Sequence, residues 1–309
     1  MKVLQSLYAF YQTHNTDLEA GEKELLHGIE RIYDMYLYQF MLFSELMHQE
    51  ERMMEDNLLK RLPSFEDLNP SMRFLQNKCL LLIANDPVLQ KKAKQKRISW
   101  KGEGELVRKL MLQIRSKTYY AEYLGSAETD LAGDIRFVLK VLKKDILPFE
   151  SLHSFYEEKS IYWLDDWELV NKMLIKTLKQ IEDTVTSLPV MDLFRDASDR
   201  VFARDLFKKT ILNHQEFHGI ISAKTKNWDV DRIALMDMII MEMALTEILK
   251  FENIPVKVSL NEYIELSKMY STPKSNIFVN GVLDKLVEEF ARDQKIKGYY
   301  PANTGKPSE

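Results

Sequence analysis

A pair of histidines four residues apart is the clearest metal-binding pattern in the chain. His214 and His218 would share one face of a helix, where two imidazole rings can reach a single ion. The residues around them do not follow the order found in helical zinc proteases, and the sequence offers no obvious third ligand. We therefore expect an exposed helix surface at this position and no bound metal.

Other signs of catalytic chemistry are weak. Cys79 lies in an apolar run, where a thiol is expected to be a small core residue and not a nucleophile. Gly102 and Gly104 form a Gly-x-Gly pattern without the preceding strand and third glycine of a nucleotide-binding loop, so a charged turn is the simpler interpretation. We expect no catalytic residue, no cofactor and no enzymatic activity.

A basic stretch is the best candidate for binding a charged partner. Residues Pro87–Lys117 contain ten Lys and Arg against two Glu, although the whole chain has a net charge of -4. Basic side chains that neutralise phosphates release counterions, and aromatic rings such as Tyr119 and Tyr120 can stack on unpaired bases. The alternative is a solvated, charged helix surface. The candidate RNA contacts of this stretch are Lys91, Lys92, Lys94, Lys96, Arg97 and Trp100.

Composition and length place these residues on a globular chain. Its 309 residues are 45% hydrophobic and 29% charged, which is enough for one large domain or two smaller ones. With 10 Gly and 9 Pro the chain has few turn formers, and this disfavours a loop-rich β fold. The single cysteine excludes an intrachain disulfide, and no apolar run is long enough to span a membrane. We expect a cytoplasmic protein with no membrane partner.

Helical spacing of apolar residues recurs along nearly the whole chain and predicts an all-α fold. The predicted helices cover the opening residues to about Gln12, then roughly Glu22–Glu50, Asn69–Ala84, Glu103–Tyr123, Asp130–Leu147, Trp167–Ser187, Arg200–Ala223, Val230–Lys250, Val258–Tyr270 and a last helix that starts with Thr272 as N-cap and Pro273. Ser198 or Asp199 can cap the helix from Arg200, and Asn227 or Asp229 can cap the helix Val230–Lys250. The helix Val230–Lys250 is apolar on most of its circumference, so we expect it at the centre of a bundle. Gly281 in the last helix indicates close packing of another helix, with a ligand or RNA contact by Asn280 as the alternative.

Several segments in the same order resemble the NusB family of bacterial transcription antitermination factors. The similar segments are Val3–Tyr8 for the family's first helix, Asn227–Ile233, Met236–Asp237 and Ala244–Ile248 for its central helix, Ile254–Glu262 and Ile264–Lys268 for the next, and Phe278–Leu286 for its last. The resemblance covers about Lys2–Gln12 and Phe202–Phe290, which is roughly a third of the chain.

This resemblance implies a non-enzymatic, all-helical RNA-binding bundle with a large helical insertion between its first and second helices. Family members pair with the ribosomal protein also called NusE and bind the single-stranded boxA element of nascent RNA. They support antitermination at ribosomal RNA operons, within the transcription elongation complex. In the family, RNA is contacted by an arginine-rich N-terminal arm, the first helix and the start of the last helix. Carried over to this chain, the candidate RNA contacts are Lys2, Gln5, Lys274, Asn276, Phe278 and Asn280, with a core position as the alternative for Phe278.

The chain departs from the family's pattern in ways that lead to further expectations. Only Met1 and Lys2 stand before Val3, so we expect a basic arm upstream of this start. Glu242 occupies a position where many members carry Arg. We expect residues 1–12 and 195–292 to form the RNA-binding core, 13–194 the insertion and 293–309 a polar tail. The competing hypothesis is a helical protein–protein scaffold that has lost RNA binding.

Overall fold

The computed structural model describes residues 1–127, 130–182, 187–225 and 233–296. Within these residues the chain folds into helices and contains no β-strand, so the all-α prediction is confirmed. None of the described helices is both long and apolar enough to cross a membrane. In chain order the α-helices are α1 (Lys2–Gln12), α2 (Leu18–Leu58), α3 (Phe65–Leu68), α4 (Lys78–Asn85), α5 (Pro87–Gln95), α6 (Gly104–Arg115), α7 (Thr118–Leu124), α8 (Leu131–Val141), α9 (Glu150–Lys159), α10 (Trp167–Lys179), α11 (Ala197–Leu212), α12 (His214–Lys224), α13 (Leu235–Lys250), α14 (Val256–Tyr270) and α15 (Pro273–Arg292).

The chain divides into two compact units, each with its own hydrophobic core. The first unit comprises Met1–Ile29 and the described residues of Phe194–Glu309, and the second comprises Glu30–Leu193. The boundary falls inside α2, so the first turns of this helix belong to the first unit, whereas the sequence-based prediction assigns residues 13–194 to the insertion. The predicted division into core, insertion and tail stays a prediction, and residues 297–309 of the tail lie outside the described residues.

Helix α13 is the centre of the first unit, as its apolar circumference predicts. Every residue from Asp237 to Ile248 is buried. The helix packs against α1, α11, α12, α14 and α15. Leu4 and Leu7 of α1 are completely buried in the same core. The first helix therefore packs against the last third of the chain, with the second unit inserted between them in sequence.

Side-chain caps begin two helices of the first unit, α11 and α15. The Thr272 hydroxyl accepts a hydrogen bond from Ser275 N–H at 3.2 Å, and Pro273 occupies the first position of α15, as predicted. The N-cap of α11 is Asp196, and not Ser198 or Asp199 as predicted. The alternative N-caps predicted for α13, Asn227 and Asp229, lie outside the described residues; the helix itself begins later than expected, at Leu235.

Three of the long helices predicted from the sequence are broken or change type. The predicted helix Arg200–Ala223 breaks at Asn213, whose side-chain amide donates to the Lys209 carbonyl at 2.6 Å and so competes with helix continuation. In the second unit, the Ser116 hydroxyl donates to the Gln113 carbonyl where α6 ends and α7 follows. Helix α8 continues as a π-helical turn over Leu142–Ile146.

Candidate nucleic-acid interface

A groove in the first unit lies between the end of α12 and one face of α15. It encloses about 200 Å³. The groove is lined by Lys224, Thr225, Lys274, Ile277, Phe278, Gly281, Val282 and Lys285. Since residues three, four and seven positions apart share a helix face, α15 presents its groove residues as one continuous strip. We call this feature the α12–α15 groove.

The floor of the α12–α15 groove is apolar and partly open. Ile277 is 73% exposed, whereas the Phe278 ring is half-buried and packs against the core. A Cβ placed on Gly281 would meet no described atom within 4 Å. The prediction that another helix packs closely on Gly281 is therefore wrong for the described residues. The glycine instead leaves open space in the groove, where a ligand can approach the helix backbone.

Three lysines give the α12–α15 groove a positive rim. Lys274 and Lys285 are exposed, and neither forms an ion pair with a described residue. Lys224 pairs with Glu289, and the hydrogen bond from the lysine lowers the pKa of that carboxyl. Two ammonium groups are thus available beside an apolar surface, and this combination suits a phosphate next to a base.

Only some of the RNA contacts that the resemblance suggests lie in the α12–α15 groove. Lys274 and Phe278 line the groove, whereas Asn276 and Asn280 are half-buried and do not line it. Gln5 in α1 donates a hydrogen bond to the Tyr270 hydroxyl at 3.0 Å. Lys2 is buried, with 9% exposure, so it offers little surface to a phosphate in this structure.

Sequence reasoning missed two lysines of the groove. Lys285 lies eleven residues after Lys274, which is three helical turns along the same face. This spacing could have indicated Lys285 as a groove residue. Lys224 comes from another helix, and nothing in the sequence indicated that α12 ends beside α15.

Within the basic stretch of the second unit, some cations are exposed and others are paired. Lys91, Lys94 and Arg97 are exposed and form no ion pair with a described residue. Lys92 donates to the Tyr33 hydroxyl at 2.9 Å and pairs with Asp192 at 3.0 Å. Lys96 lies 3.3 Å from a carboxylate oxygen of Glu30 and 3.6 Å from one of Asp34. These two lysines are therefore partly neutralised by acidic neighbours.

The structure contradicts the prediction that Trp100 stacks on RNA. Its side chain is 4% exposed, and the indole N–H donates to the Tyr38 carbonyl at 3.1 Å. Its ring stacks on Phe155, with centroids 4.9 Å apart. Tyr119 and Tyr120 are also buried. Because large aromatic residues gain most by burial, these rings form the core of the second unit and not a surface for bases.

Cys79 is a core residue, as predicted. It is fully buried, and burial raises the pKa of its thiol to about 12, with a further contribution from the charge of Asp134. A thiol that stays protonated at neutral pH is a poor nucleophile.

A carboxylate lies beside the histidine pair that the sequence left without a third ligand. Glu242 of α13 is fully buried, and its Oε2 lies 2.9 Å from His214 Nδ1. Its Oε1 lies 3.6 Å from His218 Nδ1. The hydrogen bond with Glu242 raises the pKa of His214. The Glu242 carboxylate therefore lies against both histidines of α12.

Comparison with known proteins extends the resemblance. The sequence model described as NusB family matches residues 164–288. The transcription antitermination protein NusB of Salinibacter ruber is 44% identical over 106 residues, 34% of this chain and 66% of that protein. The protein of the same name from Natranaerobius thermophilus is 31% identical over 114 residues, 35% of this chain and 82% of that protein. No solved structure matches.

The matches do not extend over the whole length of every relative. The chain spans 66% of the Salinibacter ruber protein and 46% of the Chloroherpeton thalassium protein named transcription antitermination protein NusB, to which it is 38% identical over 98 residues, 32% of this chain. It covers more than two thirds of the Natranaerobius thermophilus protein. This coverage, the family match over residues 164–288 and the all-α bundle of the first unit show that the chain belongs to the NusB family.

Proposed function

We propose that the chain is a non-enzymatic, cytoplasmic RNA-binding factor in transcription antitermination. Its RNA is boxA-type nascent single-stranded RNA, and it acts together with the ribosomal protein NusE in the transcription elongation complex at ribosomal RNA operons. The observation that carries the proposal is the α12–α15 groove, where the exposed ammonium groups of Lys274 and Lys285 flank the half-buried ring of Phe278. The relatives named as antitermination proteins support the same role.

The chemistry of the α12–α15 groove suits a single strand. An ammonium group that neutralises a phosphate releases a counterion, and a half-exposed aromatic ring can stack on an unpaired base. The open space at Gly281 lets the strand approach the helix closely. Gln5, Asn276 and Asn280 remain proposed contacts to base edges, since their amides carry both donors and acceptors.

A second RNA-binding surface is proposed on the second unit. Lys91, Lys94 and Arg97 are exposed, so they are the members of the basic stretch best able to reach phosphates. Lys92 and Lys96 would first have to leave their acidic neighbours. We expect this surface to add affinity without sequence preference, because phosphate contacts carry no base information.

The proposal is tested by titrating the full chain with boxA-like RNA and with a scrambled RNA of the same composition. The titration is done with and without NusE at two salt concentrations. We expect tighter binding to the boxA-like RNA when NusE is present, with affinity that falls as salt rises. Binding to NusE without any RNA binding at low salt would contradict the proposal and favour the protein–protein scaffold.

A further inference from the structure

Three side chains that suit a transition metal meet between α12 and α13. His214 and His218 lie one turn apart on α12 and face Glu242 of α13. One nitrogen from each imidazole and one oxygen from the carboxylate lie within 4.8 Å of one another. Two imidazoles and one carboxylate are a donor set that zinc proteins use.

The carboxylate of this cluster is buried and incompletely satisfied. Glu242 has no exposed surface, and its Oε1 accepts no hydrogen bond from a described residue. A buried carboxylate oxygen without a partner is costly, so it requires a cation or a donor. The Nδ1 atom of His218 lies 3.6 Å from that oxygen, beyond hydrogen-bond distance.

Tyr11 completes the surroundings of the cluster on the side of α1. Its ring lies 4.8 Å from that of His214, measured between centroids. Its hydroxyl is buried and makes no hydrogen bond to a described residue. The site therefore lies beside a second buried polar side chain.

We propose that His214, His218 and Glu242 bind one divalent first-row transition ion of the zinc type. Zinc–ligand bonds of 2.0–2.1 Å at tetrahedral angles put neighbouring ligand atoms about 3.3 Å apart. In this structure the His214 and His218 nitrogens lie 2.9 and 3.6 Å from different oxygens of Glu242, and one ligand atom from each residue lies within 4.8 Å of the others. Binding of one ion therefore requires the imidazoles to rotate toward a single carboxylate oxygen, and both histidine side chains are exposed enough to do so.

The exposure of the ligands leaves a route for the metal. The His214 and His218 side chains are 39% and 46% exposed, whereas Glu242 anchors the site from the core. The fourth tetrahedral position is left for water or for an atom of a binding partner. The ion would cross-link α12 to α13, so its main effect is to stabilise the first unit.

The test uses the full chain freed of metal with a chelator. Co²⁺ is added first, because its visible absorption reports the coordination geometry, and Zn²⁺ is then added in competition. We expect one equivalent of Co²⁺ to give a tetrahedral or five-coordinate spectrum that Zn²⁺ removes, and Zn²⁺ to raise the melting temperature. His218→Gln and His214→Gln should each weaken binding at least about tenfold and abolish the melting shift.

A matched control is available in the second unit. His48 lies 3.9 Å from Glu45 and its side chain is 57% exposed, and the described residues provide no third ligand beside this pair. His48→Gln should leave Co²⁺ binding unchanged. Far-UV circular dichroism confirms that each variant is folded. The proposal is overturned if the unmodified chain gives no saturable one-equivalent binding, or if His218→Gln binds Co²⁺ as tightly as the unmodified chain.

Discussion

The ring of Phe10 in α1 packs edge to face against that of Phe207 in α11, with centroids 5.8 Å apart. Both rings are buried in the core of the first unit, although the whole second unit lies between them in sequence. Contacts of this kind join the first helix to the last third of the chain. They therefore decide whether the first unit folds as one body.

Phe10→Ala should destabilise the first unit by about 3–5 kcal/mol, because it removes a buried ring and leaves a cavity beside Phe207. Urea unfolding followed by circular dichroism measures the loss as a transition at lower urea. Tyr8→Ala is the matched control, since this aromatic residue of the same helix is 37% exposed. Equal losses in the two variants would contradict the assigned packing.

Gly21→Ala should also destabilise the first unit. A Cβ on Gly21 would lie 2.8 Å from Phe207 Cζ and 2.9 Å from Phe10 Cδ2. Overpacking costs about 1–3 kcal/mol, which exceeds the roughly 1 kcal/mol that alanine gains over glycine in a helix. Gly219→Ala in α12 is the control, because a Cβ there meets no described atom within 4 Å. Thermal melting should show opposite signs for the two variants, and a stabilised Gly21→Ala variant would refute the close contact.

Lys274→Gln and Lys285→Gln should each weaken RNA binding and reduce the dependence of log affinity on log salt by about 0.7, the value for one phosphate on a single strand. Fluorescence anisotropy with labelled boxA-like RNA at several salt concentrations measures both quantities. Lys268→Gln is the control, since Lys268 lies in the same unit and already pairs with Glu265. An unchanged salt slope in all three variants would place the RNA elsewhere.

Gly281→Ala separates folding from binding in the α12–α15 groove. The substitution should stabilise α15 by up to about 1 kcal/mol, because the added methyl meets no described atom. It should nevertheless weaken RNA binding, because the methyl occupies space that the strand uses. Melting temperature and anisotropy are measured on the same sample. Full RNA affinity in a stabilised variant would show that the strand does not approach Gly281.

The Asp86 carboxylate stabilises the second unit in a pH-dependent way. Burial alone would raise its pKa, but hydrogen bonds from Leu89 N–H, the Ser187 hydroxyl and other donors outweigh burial and lower it. Since the folded pKa lies below the unfolded one, this stabilisation is complete above about pH 4 and is lost as the pH falls through the folded pKa.

Asp86→Asn should therefore cost about 1–3 kcal/mol at pH 7. Asparagine can still cap α5, but it loses the second acceptor oxygen, which receives bonds from Ser187 and Leu188 at 2.7 Å. The difference from the unmodified chain should shrink as the pH is lowered below the folded pKa of Asp86. Asp130→Asn, at the exposed N-cap of α8, serves as the control with little loss. Urea unfolding at pH 7 and at acid pH measures the free energy of unfolding of both variants. If the difference between Asp86→Asn and the unmodified chain is the same at both pH values, the proposed pH dependence is wrong.

Periodicity and capping predicted much of the fold but not its interruptions. The N-cap Thr272 and the buried circumference of α13 followed directly from residue types and their spacing. The break at Asn213 did not, because the apolar pattern continues through it while a side-chain hydrogen bond to Lys209 ends the helix. Local polar competition of this kind leaves no trace in hydrophobic spacing.

The candidate sites were harder to predict because they combine side chains from different helices. Lys274 and Phe278 were assigned from the resemblance, but their neighbour Lys224 needed the packing of α12 on α15. The carboxylate beside His214 belongs to Glu242 in the buried centre of α13. The apolar pattern of this helix predicts core residues and gives no sign of a ligand. Trp100 was wrongly assigned to an RNA-binding surface because it lies within the basic stretch. Its ring is in fact buried in the core of the second unit.

The unbroken burial of α13 has a consequence for how motion in the first unit can be followed. Amide protons between Asp237 and Ile248 exchange with solvent only when the surrounding helices separate, so they should be among the slowest in the unit. A spin label or dye within this buried span would disrupt the core that it is meant to report. Exposed positions of α15 outside the α12–α15 groove, such as Glu288, are the sites where a probe can follow RNA binding without unfolding the bundle.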